Sequence, residues 1–200
     1  MHQNYLLILF YSATGAVKNL AHAIADGAEK KGIEVRIRTV PKVSSVAEAV
    51  EASIPEKGEI YCTKEDLIGC AGIALGSPTR FGSMAAPLKY FLDSTGDIWS
   101  NNELENKLGC VFTSTGSMHG GQEITLFNLM TYLLHQGVIF VGSPYSISDL
   151  SNLPFLSGVH FLASIHTSHG ARLFLEIAKT YYEKNEIEEL KALVSSMKKN

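Results

Sequence analysis

The sequence predicts an α/β fold, a doubly wound parallel sheet of five strands with helices on both faces. Short, almost continuously apolar runs recur along the chain, and amphipathic helical patterns separate them, giving the order βαβαβαβαβα. Three of the apolar runs also stop abruptly in small, polar, turn-forming loops. In an open α/β sheet, ligands bind just beyond the carboxyl ends of such strands.

Tyr5–Phe10 (YLLILF) is apolar at nearly every position and reads as a strand buried on both faces. After a turn at Ser12–Val17, Leu20, Ala21, Ile24 and Ala28 recur at helical spacing from Val17 onward, and Lys30-Lys31-Gly32 gives a stop signal. Ile33, Val35 and Ile37 alternate with Glu34, Arg36 and Arg38, the pattern of a strand near the sheet edge. Order weakens over 41–63, where 46–52 suits a short helix and 54–62 a loop. Thr63-Lys-Glu-Asp66 resembles an N-capped helix leading into a third strand at 72–76. A helix is expected over Gly82–Asp93, with Met84, Leu88 and Phe91–Leu92 inward. A strand follows at Leu108–Phe112, a helix at Gln122–His135 and a strand at Val138–Val141. One or two closing helices then occupy Leu173–Lys199.

Two hundred residues suit a single domain, 46% hydrophobic and 18% charged, which is a globular composition. The formal charge of −3 lacks the basic excess expected of a nucleic-acid binder. Cys62, Cys70 and Cys110 form no CxxC pair, so reduced, buried thiols in a cytoplasmic protein are expected. No apolar run reaches the length of a membrane span, and Tyr5–Phe10 is too short for a signal core.

Three loops carry the chemistry. The first, Tyr11-Ser12-Ala13-Thr14-Gly15-Ala16-Val17, offers hydroxyls, a glycine and a helix start, which suits a phosphate or an ordinary capped turn. It is neither a Walker A loop nor a GxGxxG fingerprint, and it holds no cation. The second follows the third strand: Pro78 rigidifies it and Thr79 supplies a hydroxyl. Arg80 can offset negative charge, while Phe81 and Gly82 can wall a flat ligand or let it approach the backbone. The third, Thr113-Ser-Thr-Gly-Ser-Met-His-Gly-Gly-Gln122, has three glycines, four hydroxyls and a histidine. Ordering such a segment is costly in entropy, which favours a ligand wrap over filler.

These motifs, Phe10–Val17, GSPTRFG at 76–82, FLDSTGDIW at 91–99 and HGGQE at 119–123, resemble the WrbA-type NAD(P)H:quinone oxidoreductases. The match runs from the first strand to about Pro144. It implies a flavodoxin-like sheet of order 2-1-3-4-5, one FMN per subunit, a homotetramer, and a single domain over 1–200 with an insertion at about 41–66 and a divergent segment at about 145–200. By this resemblance Ser12, Ala13, Thr14, Gly15, Ala16 and Val17 cradle the FMN phosphate. Pro78, Thr79, Arg80, Phe81 and Gly82 line the ring and ribityl chain, and Ser114, Thr115, Gly116, Ser117, Met118, His119 and Gly120 wrap the other side. His135 matches a histidine that reaches the flavin from a neighbouring subunit, and Trp99 an aromatic that walls the substrate site. Residue by residue alone, Trp99 suits a core position and His135 a helix-end cap.

The chain departs from the family at Thr14, where an aromatic of the nicotinamide pocket is usual, and at Ala16, often histidine. Thr14 is therefore also a substrate-contact candidate. His160, His166 and His169 lack metal-ligand spacing, and no metal is expected. The implied activity is two-electron reduction of a quinone by NAD(P)H in ping-pong fashion through flavin N5, with Arg80 supporting and no obligatory acid or base. A flavodoxin-like electron carrier and a flavin-free scaffold remain the alternatives; −3 is a weak charge for steering a carrier to basic partners.

Overall fold

A computed structural model describes residues 5–43, 55, 57–117 and 120–142. Five parallel strands, β1 (Tyr5–Phe10), β2 (Glu34–Thr39), β3 (Gly72–Pro78), β4 (Leu108–Ser114) and β5 (Ile139–Phe140), form one sheet in the order β2-β1-β3-β4-β5. The helices are α1 (Ala16–Glu29), α2 (Lys64–Gly69), α3 (Ala86–Asp93), α4 (Gly96–Ser100) and α5 (Gln122–His135). The expected fold class and strand order are both present. The short helix expected at 46–52 and the closing helices at 173–199 lie outside the described residues.

Alternation along the buried strands supplies both faces of the sheet. Leu7, Leu9, Ile73, Leu75 and Val111 pack under Leu67 of α2, Leu88 and Leu92 of α3, and Leu126, Leu129 and Leu133 of α5. Leu6, Ile8, Phe10, Ala74, Cys110 and Phe112 face the other way, against Val17, Ala21, Ile24 and Ala28 of α1. The chain leaves β1 for β2 on one side and enters β3 on the other, so connections diverge between β1 and β3. That divergence opens a crevice at the carboxyl edge of the sheet.

The elements nearest this crevice differ from the sequence expectation. β3 runs two residues further, through Pro78, because Ser77 and Pro78 pair with Thr113 and Ser114 of β4 after β1 has ended at Phe10. A proline is tolerated there because no donor is required on the vacated side. β4 likewise continues to Ser114. Helix α3 starts at Ala86 instead of Gly82, since residues 80–83 close a tight turn and Pro87 sits in the first helical turn. Trp99 lies on α4, a short helix not foreseen.

Away from the crevice, α2 is capped as expected. Thr63 Oγ1 accepts from Asp66 N–H at 3.2 Å, and Asp66 Oδ2 accepts from Thr63 N–H at 3.0 Å, a complete capping box. Burial pulls the Asp66 carboxyl upward, but Arg38 Nε at 2.9 Å and the Thr63 donors outweigh it and hold it below its ordinary value. Lys107 closes the other end of α2, donating to Ile68 O at 2.7 Å and Cys70 O at 2.6 Å.

Candidate active site

The three loops foreseen as functional leave β1, β3 and β4 at the same edge of the sheet, and backbone bonds tie them together. Tyr11 N–H donates to Gly76 O at 3.1 Å, and Thr79 N–H to Ser114 O at 3.2 Å. Buried Ser77 locks the second loop from beneath: its hydroxyl accepts from Ala85 N–H at 2.8 Å and donates to Pro78 O at 2.9 Å.

In the first loop, Ser12 Oγ accepts from Gly15 N–H at 3.1 Å, leaving the hydroxyl proton available to a ligand. Helix α1 begins at Gly15, which has a φ of +95° and provides no side-chain cap. The first-turn N–H groups therefore point out of the helix with the positive end of its dipole. Ala13, Thr14 and Ala16 are exposed, whereas the Val17 side chain belongs to the core, so Val17 can offer only its backbone. The ammonium of Lys18, the residue after this loop, is paired with Glu59 at 3.1 Å. An anion here would meet mainly neutral donors.

The second loop is a two-residue turn. Arg80 and Ser83 exchange N–H···O bonds of 2.8 and 3.0 Å, with φ of +53° at Phe81 and +78° at Gly82 between them. That is type I′ geometry. The Phe81 ring is fully exposed, and the Arg80 guanidinium folds back to donate to Thr79 O at 2.8 Å. Thr79 is committed within the protein: its hydroxyl meets Thr125 Oγ1 and lies 3.2 Å from Gly121 O, to which Thr125 also donates at 2.8 Å. Three oxygens share two protons, so the Thr79 hydroxyl is held within this triangle.

The third loop runs from Ser114 along exposed Gly116 and Ser117 to Gly120; Met118 and His119 lie outside the described residues. Thr115 Oγ1 donates to Ser117 O at 2.8 Å, and Gln122 Nε2 reaches the same oxygen at 3.2 Å. Helix α5 starts at Gly121, φ +92°, again without a side-chain cap. Gln122 Oε1 is buried and has no hydrogen-bond partner among the described residues. It was absent from the sequence-derived site, although the HGGQE motif contained it. Thr125 and Asn128, inside the expected helix and outside every motif, are likewise absent from that site.

Trp99 and His135 do not join this cluster. The α3–α4 junction is bonded to the far end of α5, with Thr95 Oγ1 2.9 Å from Tyr132 Oη and Gln136 Nε2 3.4 Å from Thr95 Oγ1. Both residues are exposed at the amino-terminal edge of the sheet, remote from the loops of their own chain. Residues 91–99 are close to loop two in sequence, but α3 runs antiparallel to β3 and carries Trp99 the length of the sheet away.

The described loop residues carry one charged side chain, Arg80, and no carboxylate, thiol or lysine. The described residues hold no group of three or more histidines, cysteines or acids able to bind a metal, and no helix among them is long and apolar enough to cross a membrane. Among the described loop residues, side chains thus supply no acid–base pair. Two open helix N-termini, spare backbone and hydroxyl donors, an orphaned buried amide oxygen and an exposed aromatic suit a flat, phosphorylated, redox-active cofactor.

This arrangement defines a flavodoxin-like protein. Solved structures agree: a WrbA-like flavodoxin from Agrobacterium tumefaciens superposes with a TM-score of 0.56 at 19% identity, covering 88% of this chain and 98% of the other. An archaeal flavodoxin gives 0.56 at 20% identity, covering 89% and 98%. The model of the NADPH-dependent FMN reductase family matches residues 8–152, and the chain belongs to that family. It is 42% identical over 154 residues to an NAD(P)H dehydrogenase (quinone) of Paracoccus denitrificans (strain Pd 1222), covering 76% of this chain and 74% of that protein. It is 41% identical over 157 residues to NAD(P)H dehydrogenase (quinone) 3 of Rhizobium meliloti (strain 1021), covering 76% and 73%.

Proposed function

We propose that this chain is an FMN-dependent NAD(P)H:quinone oxidoreductase. The observation that carries the reading is the pair of helices, α1 and α5, that open onto the loop cluster from left-handed glycines without side-chain caps. At α2, remote from the cluster, the same need is met by a full capping box. Backbone donors left open at the carboxyl edge of a doubly wound sheet are the pattern of an anion site.

Ser12 and the backbone of residues 13–17 hold the FMN phosphate in this proposal. Arg80 and the loop N–H groups offset negative charge on the reduced ring, and Gln122 Oε1 accepts from a ring or ribityl donor. FMN held by these residues would supply the redox chemistry, a hydride equivalent accepted at N5 from NAD(P)H and delivered to a quinone, with one proton from solvent completing the hydroquinone. Successive use of one ring face gives ping-pong kinetics. Phe81 stands at the rim, where it can shield a stacked ring from water. Thr14, exposed beside the same edge, is the contact candidate for nicotinamide.

Trp99 and His135 can wall a flavin only if it belongs to another copy, so their role is proposed within a homotetramer. Sedimentation of the native protein at tetramer mass supports that role; a monomer removes both residues from the site.

The test of the activity is consumption of NADH or NADPH by the FMN-loaded protein with benzoquinone present. Quinone-dependent turnover supports the enzyme. A yellow protein that oxidises neither nucleotide supports the electron-carrier reading instead, and a colourless protein that takes up no FMN removes both.

A further inference from the structure

Phe81 poses a physical problem. A non-glycine residue at positive φ is strained, and such strain persists only where the surroundings over-determine it. Its ring cannot provide the restraint, because it is fully exposed. The restraint comes from beneath, from the first two turns of α5. Thr125, wholly buried, meets the Thr79 hydroxyl and fixes it beside Gly121 O. One turn later, Asn128 Oδ1 accepts from Ser83 Oγ at 3.1 Å and Met84 N–H at 3.3 Å. Beside them, a Cβ added at Gly82 would lie 2.8 Å from Ile124 Cγ2, so glycine fits this corner where a side chain would not. The turn is held at both ends.

We propose that Thr125 and Asn128 are positioning residues for the cofactor: they clamp the Thr79–Ser83 turn in its strained form and thereby present Phe81 and Arg80 to FMN. This inference rests on the FMN reading above. Neither residue need touch the cofactor, since each acts through the turn. The clamp also joins two walls of the site, because Gly121, which starts α5, ends the third loop.

The experiment measures FMN affinity of the apoprotein by quenching of flavin fluorescence, alongside thermal unfolding of the same samples. Thr125→Val removes the hydroxyl at the centre of the triangle and should weaken FMN binding about 10-fold. Thr125→Ser retains that hydroxyl and should stay within about 2-fold of the native chain. Asn128→Leu, acting from the next turn, should weaken binding in the same direction.

The diagnostic step repeats Thr125→Val on a Phe81→Asn background. Asparagine accepts positive φ more readily, so the turn needs less clamping, and the loss should fall below about 3-fold. An equal loss in both backgrounds overturns the clamp, since it would mark Thr125 as a general support. Unchanged FMN affinity on Thr125→Val with normal uptake by the native chain also overturns it. Native apoprotein that binds no FMN overturns the cofactor reading itself.

Discussion

Replacing Gly76 with alanine should break the sheet beneath the site. Gly76 lies on one rung between Phe10 of β1 and Phe112 of β4. The Phe112 ring fills the space a side chain would take: an added Cβ would stand 2.2 Å from Cζ, 2.3 Å from Cε2 and 2.7 Å from Cε1. All three atoms belong to one rigid, wholly buried ring, so no flexible tip can yield. Either Phe112 leaves its rotamer or β3 and β4 separate, and overpacking of this kind costs about 3 kcal/mol. For a chain of this size that lowers Tm by roughly 6–12 °C. Urea unfolding of the apoprotein gives the free energy directly. Gly116→Ala, with no heavy atom within 4 Å of the added Cβ, is the control and should lie within about 0.5 kcal/mol of native. Phe112→Leu deletes the three clashing atoms, so Gly76→Ala should cost less on that background. If Gly76→Ala alone matches the native stability within about 0.5 kcal/mol, the register and ring placement argued here are wrong.

Three further outcomes follow from the same structure. Arg80→Ala removes the only charged side chain of the described loop residues and should weaken FMN binding or slow flavin reduction about 10-fold; unchanged values for both would remove Arg80 from the site. Asp66→Asn should cost about 1–2 kcal/mol near neutral pH, measured by urea unfolding across pH. Because the folded carboxyl lies below its ordinary 3.8, that gap is full above 3.8 and closes as pH falls through the folded value; a gap that persists in strong acid would contradict the Arg38 pairing. Burial pushes the Cys70 and Cys110 thiols up to about 12 and raises Cys62 as well, so a thiol reagent should react slowly with native protein and count three thiols after unfolding.

The fold was legible because its signals are local. Tyr5–Phe10 is apolar at every residue, and α5 begins and ends at the expected residues because a glycine pair opens it and Gln-Gly closes it. Thr63 and Asp66 announced their capping box by spacing. The boundaries that shifted depend on partners distant in the chain. Pro78 reads as a turn former, yet β4 holds it in the ladder on one side while β1 has already stopped on the other. In the site, the three loops were legible as strand ends rich in hydroxyls and glycine. What they do individually was not. The Thr79 hydroxyl is visible in the sequence, but its partner Thr125, 46 residues away, is not. The resemblance puts Trp99 at the substrate site, whereas chain direction along α3 places it at the opposite edge of its own chain's sheet.

The central claim is that the carboxyl-edge loops form one site used in turn by two substrates. Anaerobic stopped-flow of the FMN-loaded protein tests it in two separated half-reactions. NADH or NADPH alone should bleach the flavin absorbance. After the nucleotide is removed, a quinone alone should restore that absorbance, one quinone consumed per flavin. Flavin that neither nucleotide bleaches, or that recovers only while nucleotide remains bound, would contradict the account.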